Sequence, residues 1–366
     1  MTLNRRHLLK TAPGALLAAG LPRFAQAQER RFAPQPGAWR AFEITTAVQV
    51  LKPSGTTRVW LPVPSVDSEY QRSLDSQWSG NGAMKLASDE KYGARMLLAE
   101  FAPGIESPTV TLTSHFQTQD RATDWSRRTP EREDAADLRY WTQATELIPT
   151  DGIVLDTARE VTKGAKTDTE KVERIYDWVV TNTYREPKVR GCGVGDVKSM
   201  LETQNFGGKC GDINGLFVGL VRSVGVPARD VYGIRLVPSA FGYKELSGNP
   251  ANLKSAQHCR AEVFLRDYGW TAMDPADVGK VMRLETGEWL KDPSHPVVAP
   301  VKKALYGGWE GNWLAFNTAH DVTLPGSQGG KLGFFMYPNA ENAGGRFDQL
   351  DPDNFKYQIT AREIKA

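Results

Sequence analysis

The segment from Gly207 to Arg229 constrains the fold more than any other. Cys210 opens a run in which Ile213, Leu216, Phe217, Leu220 and Val221 recur at three- and four-residue spacing, the mark of one apolar helix face. The run stops at Gly225, with Pro227 just beyond, and neither residue continues a helix. Strand-like stretches follow at 230–236, 259–265 and 270–273. Upstream, 151–163 reads as a short helix. Thr167-Asp168-Thr169-Glu170 then reads as the cap of a second, with Val172, Ile175, Tyr176 and Val179 on one face. A glycine-containing loop from 186 to 209 separates this helix from Cys210. Helices first and sheet second predict an α+β centre.

The flanks read as β structure. Residues 39–120 carry β-formers in partial alternation and predict a small antiparallel β domain. A charged, proline-containing linker covers 121–139, the α+β centre 140–280, and a β-rich C-terminal region 281–366. Residues 28–38 are polar and proline-rich and read as a mobile leader. Residues 1–27 read as an export signal: Arg5-Arg6 and Leu8-Leu9-Lys10 precede an apolar run too short to span a bilayer, ending in Ala25-Gln26-Ala27. The paired arginines resemble a twin-arginine signal, with an ordinary secretory signal as the alternative. No cysteine adjoins the cleavage site, so no lipid anchor is expected. The expected location is periplasmic or secreted.

Composition excludes more than it assigns. A net charge of +2 over 366 residues gives no electrostatic case for nucleic acid or a membrane surface. Ten tryptophans, with Trp289, Trp309 and Trp313 late in the chain, mean either aromatic packing or a substrate groove. Three cysteines in an oxidising compartment suggest one bridge and one free thiol. If Cys210 is the free one, Cys192 and Cys259 remain to pair; otherwise these two are buried thiols.

In chain order Cys210, His258 and Asp274 supply a nucleophile, a base and a group to orient the base. A thiol at a helix N-terminus gains from the unpaired N–H groups there, which stabilise the thiolate. Glycines 207, 208 and 211 let a substrate backbone approach and leave N–H groups for an oxyanion. Taken singly, each residue has a plainer reading: a buried structural cysteine, a structural histidine, an aspartate capping a turn before Pro275. His115, His295 and His320 have no comparable setting.

The stretch Gly208-Lys209-Cys210-Gly211-Asp212 through Gly225-Val226-Pro227-Ala228-Arg229, with His258, Gly269-Trp270 and Asp274-Pro275, resembles the transglutaminase-like superfamily over about residues 140–280. The resemblance implies a papain-like α+β core with Cys210 as nucleophile, His258 as base and Asp274 as its partner. The β domain before it resembles one that precedes this core in exported bacterial members. The Cys210 N–H is the first oxyanion donor. Gln204, six residues before Cys210, is a second candidate, at the spacing of papain-type glutamines, or else a plain loop residue. Trp178 and Tyr184 are core residues or line the site.

Such a triad forms a thioester, which water or an amine then resolves. The first expectation is a peptidase or amidase acting on a peptide or peptidoglycan-type amide. A transamidase and a non-catalytic peptide- or envelope-binding module are the alternatives. The partner is a peptide or protein substrate. No cofactor or metal is expected, since the chain lacks dense acidic loops of the calcium-binding kind and Asp348, Asp351 and Asp353 read as a solvated turn.

Overall fold

The computed structural model describes residues 30–130 and 133–365. The expected export signal lies outside the described residues. Strand Arg40–Val50 alternates buried and half-buried residues along its length, as does Thr109–Thr118, and the two pair antiparallel. Gln71–Gly80 adds to the far side of the second strand, and Phe355–Ile364 to the far side of the first. A second antiparallel sheet runs Gly345–Arg346, Asn339–Asn342, Thr57–Pro62, Arg95–Phe101, Ala83–Ser88. Phe42, Ile44, Val110 and Phe116 of the first sheet share one apolar core with Val59, Leu61, Leu97 and Phe101 of the second.

The third sheet carries the chemistry. Its order is Gly269–Met273, Gln257–Leu265, Ala228–Arg235, Trp313–Asn317, all antiparallel. Helix Cys210–Ser223 packs on it and is covered by helices Gly152–Val161 and Asp168–Asn182. From Cys210 to Arg222 every residue of that helix is buried. The fold is therefore α+β, as the segment order implied. The β-rich residues after 281 do not form a layer of their own. They supply strands to all three of these sheets.

Three sequence expectations give way here. The leader is not mobile where described: Phe32 is 4 % exposed and sits 5.0 Å from the ring of Phe241 and 5.5 Å from that of Tyr243. Arg30 also holds Glu285 at 2.5 Å. The linker is partly structural, since Arg121–Ala122 pairs with Gly308–Trp309 and Arg121 is buried. The loop before Cys210 contains helix Val197–Thr203, whose cap Asp196 accepts a hydrogen bond from Ser199 N–H at 2.9 Å. Trp309 and Trp313 are packing residues, fully enclosed, whereas Trp289 is exposed.

Candidate active site

Asp212 builds the floor under Cys210. Its Oδ1 accepts from Val194 N–H and Gly195 N–H, both at 2.9 Å, and its Oδ2 from Lys209 N–H at 2.9 Å. One carboxylate thus ties the preceding loop to the helix start, the residue type such a position favours. Gly193 has to be glycine: its φ is +88°, and a Cβ there would lie 1.8 Å from Asp212 Oδ2. Cys210 is the first residue of the helix, so its N–H is among those a helix leaves without an intrahelical acceptor.

His258 lies on the neighbouring strand, Gln257–Leu265, and Trp313 Nε1–H holds its carbonyl at 3.0 Å. Its Nε2 is 2.8 Å from Asp274 Oδ2 and 3.3 Å from Asp277 Oδ2. Neither carboxylate engages Nδ1, and His258 lines the same cavity as Cys210. Asp274 also caps helix Pro275–Leu284, its Oδ1 accepting from Asp277 N–H at 3.1 Å. The capping and the catalytic readings of Asp274 thus coexist, one oxygen each.

Three residues that sequence reasoning passed over complete the arrangement. Asn214, one turn after Cys210, donates to Asp274 Oδ1 at 3.3 Å and to the Cys259 carbonyl at 2.8 Å. Arg260 lies 3.5 Å from Asp274 Oδ2, between the rings of Trp309 and Trp313. Arg235 pairs with Asp277. The spacing Asp274-Pro275-Ala276-Asp277 was a legible helix start, and it could have flagged the second carboxylate.

The electrostatics favour an ion pair. Burial alone would lower His258, but Asp277 and Asp274 outweigh it and raise its pKa to about 10. Burial would likewise raise Cys210. The neighbouring Cys192, Cys259 and His258, the last with its positive charge, instead draw it well below an ordinary thiol. Asp277 is held well below the usual carboxylate range despite its burial, because Arg235 and His258 face it. Both displacements favour a thiolate beside an imidazolium.

Alkylation of Cys210 by iodoacetamide should therefore be fast at pH 6 and nearly flat to pH 8, where a free thiol's rate climbs steeply. A rate that tracks a model thiol across this range would overturn the ion pair. The stability effect has a definite sign. His258 is raised, so its contribution is complete below about pH 6.5, the unfolded value, and fades as pH rises toward about 10. Thermal melts of His258→Gln should lack this alkaline loss.

The remaining sequence candidates divide. Cys192 and Cys259 are not bridged; all three thiols are free, with their sulfurs within 4.8 Å of one another. The Cys192 sulfur is engaged otherwise, donating to the Gln257 carbonyl at 3.3 Å and accepting from Tyr337 O–H at 3.1 Å. The three sulfurs, and separately His258, Asp274 and Asp277, are close enough to share a metal ion. Either ion would consume the nucleophile or the base. Gln204 is exposed in a left-handed conformation (φ 52°) at a helix C-terminus, outside the cavity that Cys210 lines. Trp178 packs on Phe206, and Tyr184 on Trp289, both outside that cavity. Asp348, Asp351 and Asp353 form a turn, with Asp351 Oδ1 accepting from Asp353 N–H at 3.0 Å.

Comparison with known proteins agrees with the fold. A model of the transglutaminase-like superfamily matches residues 155–275, which include Cys210, His258 and Asp274. An uncharacterized protein of Haemophilus influenzae is 34% identical over 343 residues, 88% of this chain and 91% of its own. The solved structure of a candidate cysteine protease from Cytophaga hutchinsonii superposes with a TM-score of 0.50 at 15% identity, covering 90% of this chain and 99% of that one. With a family match that begins before the cysteine helix and ends just past Asp274, on this α+β fold, residues 155–275 form a transglutaminase-like superfamily domain.

Proposed function

We propose that this protein is a thiol-dependent acyl-transfer enzyme, a peptidase or amidase acting on a peptide or peptidoglycan-type amide. The observation that carries this reading is the buried chain Cys210, His258, Asp274, with 2.8 Å between imidazole and carboxylate. The Cys210 thiolate attacks the amide carbon. The C–N bond then breaks as His258 passes its proton to the departing amine, leaving a thioester. His258, now neutral, takes a proton from water, which attacks the thioester and releases acid and thiolate. Asp274 orients the ring and stabilises its charged form. The Cys210 N–H, at the helix start, is the oxyanion donor we assign.

We place this chemistry in a core of residues 140–280, exported by residues 1–27 through a twin-arginine-type signal to the periplasm or beyond. Among the described residues no helix is long and apolar enough to cross a membrane.

The test is a panel of peptide amides incubated with the protein and a fluorescent primary amine. Hydrolysis predicts new carboxyl groups with little label incorporated. Label incorporation in excess of hydrolysis would replace the peptidase with a transamidase. No thioester by rapid-quench mass spectrometry, on any substrate turned over, would remove both.

A further inference from the structure

A cavity of about 170 Å³ opens beside the triad, and its lining includes Cys210 and His258 together with Arg185, Arg235 and Lys280. None of its lining residues is acidic. Two of the three cations are already matched. Arg235 pairs with Asp277, and Lys280 donates to the Glu245 carbonyl at 2.6 Å with the Glu245 carboxylate at 3.6 Å. Arg185 is different. Among the described residues its guanidinium makes no ion pair, and its Nε is buried without a partner. It lies close enough to lower the proton affinity of both Lys280 and Lys209. Gln257, which lines the same cavity and is 7 % exposed, has both its side-chain oxygen and its nitrogen buried and unpaired. Native interiors rarely leave such groups orphaned, and each costs about 1–3 kcal/mol unless something satisfies it. An unmatched guanidinium and an unpaired amide lining the nucleophile's own cavity call for one ligand.

We propose that this cavity is a carboxylate subsite: the substrate presents a free carboxylate to Arg185, with Lys280 adding charge and Gln257 bonding the adjacent peptide group. A planar guanidinium suits a carboxylate in particular, since it can donate two parallel N–H bonds. The cavity is too small for a folded surface and fits one residue's end. The carboxylate is either the C-terminus of a short peptide or an acidic side chain next to the scissile amide. This subsite rests on the thiol acyl-transfer reading above for its purpose, though its charge can be tested without turnover.

Iodoacetate and iodoacetamide alkylate the same sulfur and differ in charge. The ratio of their rates at Cys210 should exceed that of a free thiol and fall as salt is raised. Arg185→Gln should reduce the iodoacetate rate about tenfold, the loss of one charge-assisted contact, and the iodoacetamide rate far less. Arg185→Lys should restore part of it. An unchanged ratio in Arg185→Gln, with an unchanged melting temperature, overturns the subsite and leaves the enzyme reading intact. Slow alkylation by both reagents instead condemns the enzyme reading.

Binding to Cys210→Ala then separates the two sources. The probes are tetra-alanine, tetra-alanine amide, and the amide with glutamate as its last residue. Tightest binding of the first supports a C-terminal carboxylate, and of the third a side chain. Equal binding of all three rejects the proposal.

Discussion

Cys210→Ala should lower turnover by roughly 10⁴- to 10⁶-fold, as removal of a covalent nucleophile does elsewhere. No neighbour can substitute. Cys192 and Cys259 lie within 4.8 Å, yet burial and the Cys210 thiolate hold both well above an ordinary thiol pKa. The fold should survive, because alanine fits where cysteine did and the His258–Asp274 pair stands without the sulfur. His258→Ala should cost nearly as much, and the double variant little more than either single one, since the two groups act as a unit. Steady-state kinetics with melting curves of all three proteins check this. Retention of more than about one per cent of activity by Cys210→Ala would transfer the chemistry to another residue.

The second large effect concerns stability. Glu262 is 1 % exposed on the His258 strand and accepts from two arginines, Arg121 and Arg229, the latter at 2.6 Å. Arg229 stands directly across the strand pair, over the ring of Trp270 at 3.9 Å, and Arg121 reaches in from the segment before the core. Glu262→Ala takes the buried carboxylate from both, leaving Arg229 partly open to solvent and Arg121 with the exposed Glu69 carboxylate at 2.8 Å. Removing one member of a buried pair costs about 3–5 kcal/mol. The melting temperature should fall by roughly 4–7 °C. The pH dependence identifies the cause. Burial would raise the Glu262 pKa, but Arg229 and Arg121 hold it below its ordinary value. Its contribution is therefore present above about pH 4.5 and lost as pH falls through the lower folded value. The gap between wild type and variant should close in acid. A gap independent of pH would point to lost packing in place of lost charge.

The triad was legible because its signals are local: a thiol at a glycine-flanked helix start, a histidine on a strand, an aspartate before a proline. Asp277, Arg235 and Arg260 were not, because each matters only through the residue it meets in space. Asp277 is helical spacing from Asp274 in sequence, yet its role comes from facing His258 and Arg235 together. The cysteine count suggested a bridge, but counting cannot show that Tyr337 and the Gln257 carbonyl already engage Cys192. Phe32 looked like part of a polar tether because the pocket of Phe241 and Tyr243 that receives it lies over 200 residues away. The short helix Val197–Thr203 has too few apolar positions to stand out, and tertiary contacts sustain it.

The pairing of Arg40–Val50 with Phe355–Ile364 sets an order of events during synthesis. Ala41 meets Ile364, so an inner strand of the first sheet must wait for residues translated some 300 positions later. Contacts of such separation fold slowly, and until they form that strand keeps a free hydrogen-bonding edge. The first sheet therefore stays incomplete until residues 355–364 have been made, and whatever guards the chain until then must cover an unpaired edge on its first strand.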